Sequence, residues 1–179
     1  MTTIGHIDLG LGLDGDFDRA RRRALLHGVL VRMRGERRGL LSFAETVATS
    51  GPQRPTHGGR RAVEVGKIVG SVGRAGDFDR TFLPVARALK ERWRSVNRAF
   101  RRAQDLPPVV LNKIGDSYFV VDGNHRVSVA RYHGVEWIDA EVTEFRAVTS
   151  PDHTPTGFTG TSPDTSTAGE PRRREETLV

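Results

Sequence analysis

Residues 118–131 read Y-F-V-V-D-G-N-H-R-V-S-V-A-R, and this run restricts the fold more than any other part of the chain. Its aromatic and β-branched start is the composition of a strand, Asp122-Gly123 is turn chemistry, and a helical pattern opens directly on His125 and Arg126. A strand must therefore become a helix within about three residues, and both must share one core. That geometry aims the free N–H groups and positive dipole end of the helix at whatever lies in the turn. Gly123 permits close approach, and Arg126 supplies a planar fork of donors suited to phosphate. An anion site is expected here, with a nucleotide phosphate as the best occupant. The plainer alternative makes Asp122 an N-cap and nothing more. The crowding of Asp122, His125 and Arg126 at one corner, with apolar sequence on both sides, favours the site. Asn124 is of a type that tolerates a left-handed turn position.

Around this corner the pattern predicts an α+β domain: a small mixed sheet with packed helices, one of them long and amphipathic. A helix is expected from Asp16, which would cap it, with Phe17, Ala20, Ala24 and Val31 on one face and Arg19, Arg22, Arg23 and Arg34 on the other. Ser42-Phe43-Ala44-Glu45 has the form of a capping box, opening a short helix that Gly51-Pro52 stops. Residues 53–60 read as a polar loop, and 62–65 and 67–69 as short extended segments. A long helix is predicted over 80–103, its seam formed by Phe82, Ala86, Leu89, Trp93, Val96, Phe100 and Ala103. Strands at 109–114 and 118–121 flank a hairpin turn, the next helix runs from His125 to a Gly134 stop, and a last strand covers 137–142. The organisation expected is a helical extension and loop over 1–61, the main domain over 62–148, and a disordered tail over 149–179, where Pro, Thr, Ser and Gly dominate.

The net charge of +6 and pI near 10.6 invite a nucleic-acid reading. Only Lys67, Lys90 and Lys113 among the 28 basic residues are lysine, however, and a bias that strong is what genome composition produces. Arg87, Arg94 and Arg101 recur every seventh residue, either as a phosphate-backbone track or as an ordinary solvated face. With no cysteine, the chain has no disulfide framework, thiol nucleophile or Cys-based zinc site, which fits a cytoplasmic setting. No apolar run approaches a membrane span and no signal-type segment opens the sequence, so no membrane partner is expected. The six histidines form no i, i+4 pair of the kind that grips zinc from one helix.

From Val65 onward the order of short motifs resembles the ParB/sulfiredoxin superfamily. Ile68 is followed by Val72-Gly73-Arg74 and Phe78-Asp79. Pro108-Val109-Val110 then precedes the 118–126 segment, and Gly134 precedes Ile138-Asp139-Ala140. The likeness covers roughly 62–145 and is closest to D-G-x-H-R variants of a ParB-like N-terminal domain. It implies that Gly123, Asn124, His125 and Arg126 meet the phosphates of CTP or ATP, with Arg74 closing the site from the other side. Where sulfiredoxins carry a catalytic cysteine this chain has Asn124, so sulfinic acid repair is excluded on chemical grounds. The glutamate of the ParB G-E-R-R motif is also Asn124 here. Asp122 is then the nearest carboxylate for a Mg²⁺ ion or a water, with Glu141 and Glu144 as lesser candidates.

Two classes of function follow. One is a stand-alone nucleotide-binding domain, a slow NTPase or phosphotransferase in which Asp122 and His125 are the candidate catalytic groups and Arg126 neutralises phosphate. The other is a DNA-binding or regulatory module, nuclease-like in label, that contacts phosphates through Arg87, Arg94 and Arg101 without turning over nucleotide. An interaction domain with an inactive pocket is a third reading. A homodimer through the Trp93 helix is left open.

Overall fold

In the computed structural model, residues 11–35 and 39–148 are described, with side chains from Gly15 onward. Elements run α1 (Leu11–Met33), β1 (Leu41–Ser42), α2 (Phe43–Ser50), β2 (Gln53–Glu64), a 3-10 turn (Val65–Lys67) and β3 (Ile68–Ser71). A second 3-10 turn (Arg87–Leu89) leads into α3 (Lys90–Arg101), followed by β4 (Val109–Ile114), β5 (Ser117–Asp122), α4 (Asn124–Tyr132) and β6 (Trp137–Ala147). The six strands form one mixed sheet in the order β1-β3-β5-β4-β6-β2. Pairing is parallel for β1/β3, β3/β5 and β4/β6, and antiparallel for β4/β5 and β2/β6. The α+β expectation holds. The sheet draws strands from both sides of position 61/62, and the expected tail at 149–179 lies outside the described residues.

The core lies between the sheet and the helices. Trp93, fully buried on α3, meets Phe17 of α1 and Tyr132 of α4 edge-on, and its Nε1–H donates to Ser128 Oγ at 2.9 Å. Trp93 thus packs inside the molecule, between α1 and α4. Gly70 marks where β1 and β3 close up: a Cβ there would meet the Leu41 carbonyl oxygen and the Phe119 ring at 2.4 Å.

Several predicted elements hold. Ser42 caps α2 by accepting from the Glu45 N–H at 3.5 Å, and the β4–β5 hairpin turns where expected. On α1 the residues Phe17, Ala20, Ala24 and Val31 are all buried.

Others are corrected. Asp16 does not cap α1; it lies within the helix, buried, and accepts from Asn97, Arg101 and Tyr132 at 3.2, 3.3 and 3.0 Å. Residues 53–60 are strand, not loop, because β6 continues to Ala147 and offers a full ladder of partners. The long helix begins only at Lys90, after the 3-10 turn, and ends at Arg101. Pro84 cannot continue a helical ladder, and Phe82 has a left-handed backbone (φ 63°) although its ring is fully buried. Asp79 holds that turn by accepting from the Thr81 and Leu83 N–H groups, each at 2.9 Å. Phe82 and Ala86 therefore pack from the loop rather than from the α3 seam.

Candidate functional site

β5 enters the corner with Tyr118, Phe119 and Val120 buried and leaves it with Val121 and Asp122 exposed. Gly123, not Asn124, takes the left-handed conformation (φ 101°). A side chain there would be strained and would press a Cβ to 2.7 Å from Val109 Cγ1, so the close turn depends on glycine. α4 starts one residue earlier than expected, at Asn124. Its first intrahelical bond runs from the Val127 N–H to the Gly123 carbonyl at 3.0 Å. The N–H groups of Asn124, His125 and Arg126 precede that bond and form the positive end of the helix. Asn124 is buried, and its Oδ1 has no partner among the described residues.

The corner forms one wall of a cleft of about 760 Å³. Opposite it stand Gly73, Arg74 and Asp77, with Arg92 from the first turn of α3; Leu89, Val96 and Val121 supply apolar surface. The Arg74 segment is tied to the sheet: Ser71 Oγ accepts from the Arg74 N–H at 3.2 Å, and the Val72 N–H donates to the Val120 carbonyl at 2.9 Å. α1 braces the next stretch of loop, where Arg21 Nε donates to the Val85 carbonyl at 2.9 Å and His27 Nδ1 lies 3.2 Å from Asp79.

The three arginines of the cleft differ in what holds them. Arg126 donates to the carbonyls of Pro107 and Pro108 and pairs with Asp122 at 2.5 Å, its side chain largely buried. It clamps the segment before β4 to the corner, and its guanidinium already has internal acceptors. Arg74 is half exposed, 3.7 Å from Asp77 and 3.5 Å from His125 Nε2. Arg92 lies exposed on the cleft wall.

His125 packs edge-on against Phe78, ring centres 5.7 Å apart, with Nδ1 buried and without a partner among the described residues. Its pKa is pushed down to about 4, first by burial and then by the neighbouring Arg74 and Arg92 charges. At neutral pH the ring is therefore uncharged.

The structure gathers Arg74, Asp122, Gly123, Asn124, His125 and Arg126 around one cleft. Glu141 and Glu144 are not among its lining residues. Glu144 instead accepts from Arg146 and Arg61, which hold its carboxyl at about 2. The arginine row also divides. Arg87 precedes α3 on the 3-10 turn, Arg94 bonds Glu91 at 3.2 Å, and Arg101 bonds Asp16 at 3.3 Å. Sequence reasoning missed Arg92 and Asp77. Asp77 follows Arg74 closely enough to have been flagged, whereas Arg92 is one arginine among many on its helix and carried no distinguishing signal.

No family model matches the chain, and no curated protein matches it. Among solved structures it is similar to sulfiredoxin from Arabidopsis thaliana, at 14% identity and a TM-score of 0.35, over 46% of this chain and 82% of that one. So slight a likeness adds nothing to the strand order given above. Among the described residues no helix is long and apolar enough to cross a membrane, and no group of three or more metal-ligating side chains is present.

Proposed function

We propose that the cleft binds the phosphates of a nucleoside triphosphate, CTP or ATP, between the α4 N-terminus and the Arg74/Arg92 wall. One observation carries this reading: two exposed arginines and the first turn of a helix converge on a nucleotide-sized cleft around an imidazole that burial, reinforced by those arginines, keeps uncharged. Neutral His125 hydrogen-bonds phosphate without adding charge. Arg126 contributes its backbone N–H and holds the corner rigid with its side chain. The apolar surface from Leu89, Val96 and Val121 suits the base or the ribose.

Mg²⁺ fits this donor set as a companion of the phosphates. It needs only one or two carboxylates beside phosphate oxygens, and Asp77 and Asp122 both border the cleft. It would supply charge neutralisation for phosphoryl transfer. Slow hydrolysis or transfer is the reactive version of this reading, and a nucleotide-gated switch is the version without turnover.

The test is thermal shift with CTP, ATP and GTP, each with and without Mg²⁺, on the wild type and on Arg74→Ala/Arg92→Ala. Nucleotide at about 100 times its dissociation constant stabilises the wild type by roughly 2.7 kcal/mol, and the double variant loses that shift. Bound phosphate also raises the His125 pKa, because an anion favours the charged ring; NMR titration of the ring reads this directly. A folded wild type that no nucleotide shifts, with an unchanged His125 titration, overturns the reading.

A further inference from the structure

The C-terminal half of α1 is apolar on two opposite faces. Ala20, Ala24 and Val31 are buried against the domain, while Leu25, Leu26, Val29, Leu30 and Met33 on the other side are between 43% and 80% exposed. A helix that is apolar all round belongs in a buried setting, and single exposed leucines are ordinary whereas five in one stripe are not. The stripe runs along about 12 Å of helix. Leu25, Val29 and Met33 form one row and Leu26, Leu30 and Met33 the next, the four- and three-residue spacing that seats another helix.

Charge around the stripe selects the partner. Arg22 and Arg23 stand at its N-terminal end and Arg32 and Arg34 at its C-terminal end, all four exposed. The nearest acidic side chain of the helix with an exposed position, Asp18, is already 3.7 Å from Lys90. A second copy of this chain would bring arginine against arginine, which like-charge repulsion disfavours. The stripe also lacks the aromatic side chains that anchor interfacial membrane helices. We propose that this face docks an amphipathic helix of another protein, with aliphatic side chains on one stripe and aspartate or glutamate flanking it, in the way charged flanks select helix partners.

The probe is a labelled helical peptide with leucine at its core positions and glutamate at its flanks, titrated by fluorescence anisotropy against the full chain. A matched peptide with lysine flanks is the comparison. Expected are saturable binding of the glutamate peptide, at least tenfold weaker binding of the lysine peptide, and at least a tenfold loss in Leu26→Glu/Leu30→Glu. That variant is expected to keep the wild-type circular dichroism melt, because both side chains face solvent. Equal binding of the two peptides, or binding of neither, overturns the proposal. It is equally overturned if the variant abolishes a dimer seen by sedimentation velocity, or abolishes binding to phosphatidylserine-containing vesicles that the peptide does not displace.

Discussion

The two walls of the cleft use arginine in opposite ways. On the α4 wall, Arg126 is largely buried and bonded to Asp122 and to the carbonyls of Pro107 and Pro108. On the facing wall, Arg74 is half exposed and Arg92 exposed. The arginine inside the conspicuous motif is thus satisfied within the fold, whereas those outside it lie open to solvent. A motif marks where a site is built, not which of its charges remain available.

The largest effect that separates the walls is on stability. Arg126→Ala removes charge-assisted bonds to two carbonyls and is expected to cost about 2–4 kcal/mol in urea denaturation. If it costs no more than Arg74→Ala, the contrast between the walls fails. Gly123→Ala sharpens the same point by straining the turn without touching a charge. The left-handed backbone and the 2.7 Å approach to Val109 predict a loss of about 1–3 kcal/mol.

A pH series tests how far burial and the facing arginines hold His125 neutral. The folded pKa of His125 lies below its unfolded value of 6.5. Above pH 6.5 the ring is neutral in both states and stability is unaffected. As pH falls from 6.5 towards 4 the unfolded chain takes up the proton first, so stability is lost. The expected loss is about 1–2 kcal/mol, less than the full shift because solvent reaches part of the ring. Wild type and His125→Gln, unfolded in urea at pH 7 and pH 4.5, should differ in this slope, and parallel slopes would remove the histidine from the account.

The smallest expected stability effect belongs to Arg74→Ala and Arg92→Ala, each within about 0.5 kcal/mol of wild type. Their consequence should appear only when nucleotide is added. A melt that drops in the absence of ligand would place these two among the structural arginines beside Arg126.

What could be read in advance follows from how local each signal is. The β4–β5 hairpin, the α2 cap and the turn at Gly123 are set by residues within a few positions of one another, and all three appear where the pattern puts them. The 53–60 part of β2 was illegible because its burial has no clean alternation: it lies at the sheet edge, and its partner strand is distant in sequence. The α3 seam was over-read because Phe82 and Ala86 fall on the helical spacing by coincidence, and Pro84 should have ended the pattern. The corner itself was legible, but the occupancy of Arg126 was not, since its two carbonyl acceptors lie 18 and 19 residues upstream. The facing wall was legible only at Arg74, through family resemblance.

The position of β2 has a consequence for the protein in concentrated solution. Its outer rim is a twelve-residue row of main-chain groups, long enough to recruit a strand from a neighbouring molecule. Three features interrupt that row: Pro55 brings no N–H, the register slips between His57 and Gly59, and exposed Arg54 adds positive charge, while Arg60 and Arg61 are paired with Asp139 and Glu144 of β6. No described strand pairs with the rim, which therefore resists fibre-like stacking by its chemistry, and a substitution that straightened or neutralised it would be felt first as lost solubility.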